Sequence, residues 1–453
     1  MKIVIAPDSF KENLTSLEVA SELETGLRRV WPDAEYIKIP MADGGEGTVQ
    51  SLVDATGGRI VKCAVTGPLG QKVLASYGLL GDGRTAVIEM AEASGLPLVP
   101  KPERDPLRAT TYGTGELVAD AINRGVEEII VGLGGSATND GGVGFAQALG
   151  VRFIDQNGAA ITEPLGGGRL EDIHAIDTRE MIPGLANVAI SVACDVTNPY
   201  TGEKGASAVY GPQKGATPDM VQTLDRNLAY FAALIKRDLN RDIVEQPGAG
   251  AGGGLGGGLL AFTNATMKRG VELVVAATKL DAHMKGASLA ITGEGRVDFQ
   301  TAFGKTPAGV AACARRHGVP VVAIGGGLSD DAHGVFQHGI DAIETVTPSP
   351  LPLEVAMAKS REYLQNAGER LARLIVIGQR MAADASILVA EAPAPAATTP
   401  TSLDSAGPQS VVTQPMAKRN KPVKRFLRAK RVQGLTRAAV ELSQRRQRLQ
   451  PQT

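Results

Sequence analysis

Residues 132–142, reading GLGGSATNDGG, constrain this chain more than any other stretch. Five of the eleven are glycine, and most of the others carry a small hydroxyl, amide or carboxylate group. The apolar run 129–131 precedes them and a helix-like segment, 143–149, follows, so the pattern is strand, loop, helix. With so few Cβ atoms in the way, several backbone N–H groups can converge on one anion. The free N–H groups and dipole of the following helix also favour phosphate. A phosphate cradle is the functional expectation, and a plain tight turn competes with it. Gly132, Gly134 and Ala137 also trace GxGxxA, with Asp155 about twenty residues on, in outline a dinucleotide fingerprint. Against that outline, residues 138–142 prolong the loop with polar groups where a dinucleotide fold needs close helix packing.

Both ends of the chain carry βα texture. Residues 3–6 are continuously apolar, as in a strand buried on both faces. Thr15 or Ser16 can cap a following helix, with Glu18 in its first turn. A strand at 34–40 and a helix at 48–55 complete a second unit. Strands at 289–292, 319–324 and 342–346 follow near the end, with helices at 307–317 and 353–381. Between these ends, alternation and glycine turns over 59–90 predict antiparallel hairpins. Five parallel strands predict an α/β fold with a flavodoxin-like sheet of order 2-1-3-4-5 and a second mixed α/β domain inserted, a cleft lying between them. The expected domains are 1–60 plus 284–381, and 61–283, followed by a disordered Ala/Pro/Thr linker at 382–415 and a basic tail at 416–453. Such sheets bind ligands where the first and third strands end. That places Asp8-Ser9-Phe10-Lys11 beside Thr292-Gly293-Glu294-Gly295.

Composition narrows the class. The three cysteines and five histidines are scattered without metal-binding spacing, as expected of a reduced cytoplasmic protein without zinc. Met1-Lys2 leads directly into a short strand-like run, so no signal peptide is expected. No apolar run reaches the ~18 residues of a membrane span. The net charge of −1 conceals +11 in residues 416–453 and −12 elsewhere. Apart from Phe426 the tail has no aromatic residue on which a base could stack, so it reads as a peripheral extension more readily than as a nucleic-acid-binding arm. Oligomeric state is left open, a homo-oligomer being compatible.

Carboxylates recur where strands are predicted to end: Asp8, Asp43, Glu46, Asp140, Asp195, Glu294 and Asp298. Such groups suit Mg²⁺, which takes one or two carboxylates plus phosphate oxygens, or a general base for a hydroxyl. Lys11, Lys214 and Lys305 adjoin glycine- or hydroxyl-rich turns and can offset charge on a transferring phosphoryl group. Gly304-Lys305-Thr306 ends like a P-loop, but Phe299 stands where that motif needs glycine.

Six segments taken in order carry a resemblance: IAPDSFKENLT (5–15), PMADGGEGT (40–48), GLGGSATNDGG (132–142), ACDVTNP (193–199), YGPQKGA (210–216) and ITGEGRVDFQTAFGKTP (291–307). Together they resemble the bacterial glycerate kinase family of glucarate and glyoxylate metabolism, over residues 1–381. The resemblance implies ATP- and Mg²⁺-dependent phosphorylation of D-glycerate, generally to 2-phosphoglycerate. On that reading Gly134, Gly135, Ser136, Thr138, Asn139 and Asp140, with Lys214, hold nucleotide phosphates. Asp195 and Asp298 bind metal or act as base. Asp8 orients a substrate hydroxyl or a metal-bound water, and Ser9 and Lys11 hold the glycerate carboxylate. Asp43, Gly44, Gly45, Glu46, Thr292, Gly293 and Glu294 line the substrate side. The alternatives are a 3-phosphoglycerate-forming kinase, an NAD(P)-linked oxidoreductase built on 132–155, and a nucleic-acid binder acting through the tail.

Overall fold

The computed structural model describes residues 1–302 and 304–390. The expected tail, and the linker beyond residue 390, lie outside the described residues. The strands are β1 (Lys2–Ile5), β2 (Glu35–Lys38), β3 (Arg59–Thr66), β4 (Lys72–Leu79), β5 (Thr85–Glu89), β6 (Glu128–Gly132), β7 (Arg152–Ile154), β8 (Ala175–Asp177), β9 (Ala189–Ala193), β10 (Thr266–Lys268), β11 (Leu289–Val297), β12 (Val321–Leu328) and β13 (Ala342–Thr345).

The first sheet has the order β2-β1-β11-β12-β13, and every pairing is parallel. Counted within this lobe, that is the expected 2-1-3-4-5. The interior strand β1 shows why a continuous apolar run was needed. Ile3 and Ile5 point to one face and pack with Leu23 and Leu364. Val4 points to the other and packs with Leu52 and Val310. Successive side chains alternate across a strand, so a strand covered on both faces has no polar positions.

The helix Ser16–Arg28 begins with a capping box. Glu18 N donates to Thr15 Oγ1 at 3.3 Å, and Thr15 N donates to Glu18 Oε2 at 2.9 Å. This helix crosses the helix Ser360–Ala390 so closely that a Cβ at Gly26 would stand 1.9 Å from the Gln365 carbonyl oxygen. Arg361 clips the pair by bridging Glu18 and Glu22. The single helix expected at 353–381 is instead two, Leu353–Ala358 and Ser360–Ala390. The second continues into the stretch read as linker, so the linker cannot begin at 382.

The second sheet has the order β10-β9-β6-β5-β4-β3. The β3–β4 and β4–β5 pairs are antiparallel, as alternation predicted; β5, β6, β9 and β10 pair in parallel. β7 lies outside this sheet and pairs antiparallel with β8. The strand leading to Asp155 therefore does not follow β6 in a βαβ unit, and the dinucleotide outline fails on topology. The helices Gly270–Ala277 and Leu280–Met284 contribute Leu273, Val274, Leu280 and Met284 to the cluster holding Val4, Met41 and Val310. The same cluster takes in Val87, Ile130 and Ala193 of the second sheet, so these helices pack where the two sheets come together. Among the described residues no helix is long and apolar enough to cross a membrane.

Candidate active site

The loops after β1 and within β11 lie side by side, as the strand order required. Asp8 N donates to the Gly293 carbonyl at 2.8 Å, and Thr292 Oγ1 donates to the Ala6 carbonyl at 2.9 Å. Thr292 is fully buried, and a Cβ at Gly293 would meet the Ile324 carbonyl oxygen at 2.2 Å. These two residues hold the ladder between the two loops together.

Asp8 is a buried carboxylate with two directed partners. Its Oδ1 accepts from Ser9 N at 2.7 Å and from Ser9 Oγ at 3.3 Å; its Oδ2 accepts from Thr306 Oγ1 at 2.6 Å. Burial, then the Asp43 charge, pushes its pKa up to about 6, while Thr306, Ser9 and Lys11 pull in the opposite direction. Residues 9–15, with Glu18, Glu46 and Gly47, line a recess of about 240 Å³. Lys11 and Glu46 are exposed on its walls. On the other side of Asp8, Glu294 accepts from Thr301 Oγ1 and pairs with Lys305 Nζ at 3.3 Å. Burial raises the Glu294 pKa. Asp298 turns inward on its own segment, its Oδ1 accepting from Gln300 N at 2.9 Å and Thr301 N at 3.3 Å, with Lys305 at 3.9 Å.

The glycine-rich loop between β6 and the helix Val143–Ala148 is exposed only at Gly134 and Gly135. Asp140 beneath it is wholly buried and accepts from Thr111 N at 2.8 Å, Thr111 Oγ1 at 2.7 Å, Gly142 N at 3.1 Å and Gly144 N at 3.3 Å. Burial raises its pKa in spite of these donors. Lys214, also buried, donates to the Thr138 carbonyl at 2.6 Å. Burial lowers its pKa to about 7, with the Asp140 charge opposing. Asn139 Nδ2 donates to Ser207 Oγ at 2.9 Å. Thr138, Asn139, Asp140 and Lys214 thus shape the loop from beneath. A buried carboxylate already committed to four donors has no reason to face a second anion. The exposed part of the motif is Gly134 and Gly135, with the buried Ser136 beside them.

The two lobes meet backbone to backbone. Gly44 has φ +95°, and a Cβ there would stand 2.6 Å from Gly270 Cα; a Cβ at Gly270 would stand 2.0 Å from the Asp43 carbonyl oxygen. Gly45 N donates to Asp43 Oδ1 at 3.0 Å. Across the join, Asp195 Oδ1 accepts from Gly270 N at 3.3 Å. Burial raises the Asp195 pKa, the Gly270 N–H lowers it, and the Asp43 charge raises it again. Asp43 therefore acts electrostatically on both Asp8 and Asp195. Asp298 Oδ1 caps its own turn.

Three residues outside the expected set belong to this region. Thr306, noticed only as the end of a failed P-loop, opens the helix Thr306–Arg316 and aims its hydroxyl at Asp8. Glu89, at the end of β5, accepts from Val49 N at 2.9 Å and so caps the helix Thr48–Thr56, whose own N-cap is the side-chain-free Gly47. The visible signal was an acid closing the apolar strand TAVIE. Arg269 follows β10 directly; its only signal was a cation at a strand end.

Two α/β lobes whose strand-end loops converge on buried carboxylates define the chain as a two-lobed α/β enzyme. The glycerate kinase family profile matches residues 3–376. A glycerate kinase from Bacillus subtilis (strain 168) is 52% identical over 381 residues, spanning 84% of this chain and 99% of the relative. The glycerate 2-kinase of Escherichia coli (strain K12) is 50% identical over 382 residues, spanning 84% and 100%. A crystal structure from Salmonella typhimurium LT2, provisionally described as glycerate kinase 2, superimposes with a TM-score of 0.78 at 51% identity, covering 84% of this chain and 99% of that one. The chain belongs to the glycerate kinase family, and its chemical class is that of a kinase.

Proposed function

We propose that this enzyme transfers the γ-phosphoryl group of ATP to the 2-hydroxyl of D-glycerate, giving 2-phosphoglycerate and ADP. The observation that carries the reading is Asp8: a buried carboxylate with its pKa near 6, oriented by Ser9 and Thr306 at the strand-order switch point. A relative named glycerate 2-kinase, matched over its whole length, supports the choice of product. A base with a pKa just below working pH is largely ionised yet still attracts a hydroxyl proton. The glycerate oxygen attacks the γ-phosphorus as the bond to the β,γ-bridging oxygen breaks. ADP leaves with that electron pair, and the hydroxyl proton passes to Asp8.

The recess beside Asp8 suits a three-carbon acid, with the exposed Lys11 countering its carboxylate. Gly134 and Gly135 offer bare backbone to the nucleotide phosphates from the second lobe. Mg²⁺ needs only one or two carboxylates beside phosphate oxygens, and Asp195 with Asp43 meets that donor chemistry. Bound there, it would screen the phosphate charges that the carboxylates repel. Three free cysteines are consistent with a cytoplasmic setting.

The test is ADP release by the full-length chain on D-glycerate, with phosphorus NMR of the product. A resonance coupled to the single C2 proton is expected. Coupling to the C3 protons refutes the 2-hydroxyl assignment. Absence of ADP release, or nicotinamide reduction in its place, refutes the kinase reading.

A further inference from the structure

Arg269 lies in the second lobe immediately after β10, and its side chain reaches the first. A Cβ added to Gly304 would stand 2.5 Å from Arg269 Nη2, so the missing side chain at 304 is what admits the guanidinium. The backbone of Arg269 is fixed: its carbonyl accepts from Glu272 N at 3.1 Å and Leu273 N at 3.3 Å, starting the helix Gly270–Ala277. The guanidinium is exposed and has no ion pair or side-chain hydrogen bond with any described residue. Its charge is nevertheless felt by Asp195. An arginine held at an acidic cleft and left without a partner has its planar set of donors free for an oxyanion.

Two neighbouring cations are already committed. Lys305 pairs with Glu294, and Lys214 is sealed beneath the glycine-rich loop. Lys11 lies on the wall of the recess beside Asp8. Arg269 is the cation that leaves the lobe bearing Gly134 and arrives at the lobe bearing Asp8. On the reading proposed above, nucleotide and acceptor approach from those two lobes, so the group in transit passes between them.

We infer that Arg269 is a catalytic residue that binds the equatorial oxygens of the phosphoryl group during its transfer, with Gly304 as the notch that seats it. The inference rests on the kinase reading. In the step, the acceptor oxygen–phosphorus bond forms, the bond to the β,γ-bridging oxygen breaks, and the proton goes to Asp8. Arg269 exchanges no proton and supplies only charge and hydrogen bonds to oxygens whose charge shifts in the transition state.

The experiment uses steady-state kinetics of the full-length chain with varied ATP and varied D-glycerate. Arg269→Ala is expected to lower kcat by roughly 10²- to 10³-fold, the cost typical of removing one such donor. KM for both substrates is expected to stay close to wild type. Arg269→Lys should recover part of kcat, and added guanidinium should rescue Arg269→Ala but not wild type. The melting temperature should not change, because the side chain has no protein partner to lose. Gly304→Ala should lower kcat by displacing the guanidinium, and combining it with Arg269→Ala should cost little more than either alone. A raised KM for D-glycerate at unchanged kcat would make Arg269 a carboxylate binder and overturn the inference, as would full activity of Arg269→Ala. If wild type itself fails to phosphorylate D-glycerate, the kinase reading fails first, and the two failures are distinguished.

Discussion

Replacing Asp8 with asparagine separates what this residue costs the fold from what it gives the chemistry. The asparagine keeps the shape: its Oδ1 can accept from Ser9 N as before, and its amide can donate to Thr306 Oγ1, reversing one bond. What disappears is the buried charge. The folded-state pKa of Asp8 is raised from 3.8 to about 6. That is roughly two units, or about 3 kcal/mol at about 1.4 kcal/mol per unit. The sign follows from proton uptake. Between about pH 4 and 6 the unfolded chain has lost this proton and the folded chain has kept it. The contribution of Asp8 to stability therefore falls as pH rises through that window and stays low above it. Asp8→Asn is expected to gain on wild type across the window and to hold a plateau advantage of up to about 3 kcal/mol at pH 7.5. Urea unfolding of both proteins at pH 4, 5, 6 and 7.5 measures it. Activity should move oppositely: kcat of wild type should fall below about pH 6 as Asp8 protonates, and the variant should lose about 10²- to 10⁴-fold above that pH, the gap narrowing below it. A stability difference that stays flat from pH 4 to 7.5 would refute the burial reasoning. Normal turnover by the variant would refute Asp8 as base.

Four further outcomes follow from the packing. Glu89→Ala leaves Val49 N–H without its acceptor and should cost about 1–2 kcal/mol in urea unfolding, whereas Glu89→Gln keeps an acceptor and should cost less. Gly270→Ala places a Cβ 2.0 Å from the Asp43 carbonyl oxygen, so it should force the lobes apart, lowering the melting temperature and kcat together. Lys214→Met removes a buried ammonium whose pKa is lowered to about 7. The Lys214 contribution to stability grows as pH rises from about 7 toward 10, so the gap between the proteins should shift toward wild type over that range in parallel urea titrations. Deleting 391–453 should leave kcat/KM and the melting temperature unchanged, because residues 1–390 form one compact unit.

Read from the chain alone, the pattern of apolar runs was enough for the first sheet. A strand covered on both faces must be apolar throughout, and Ile3, Val4 and Ile5 satisfy that before any contact is known. Strand count and right-handed crossovers then place Asp8 beside β11 across some 280 residues of chain, and the glycine-rich loop announces a backbone that something approaches closely. Side-chain direction was beyond that pattern. Asp140 and Asp195 look alike in sequence, each a carboxylate in a loop after a strand. Tertiary contacts give the first four internal donors and leave the second at the join between lobes. Thr292 and Thr306 exchange roles for the same reason: one hydroxyl is taken by the Ala6 carbonyl, the other is free to reach Asp8. Periodicity reports which face of an element is buried, but which polar group meets which depends on distances set by both lobes at once. The close approach of Gly44 to Gly270, and the space Gly304 leaves for Arg269, exist only once residues far apart in the chain have been packed together.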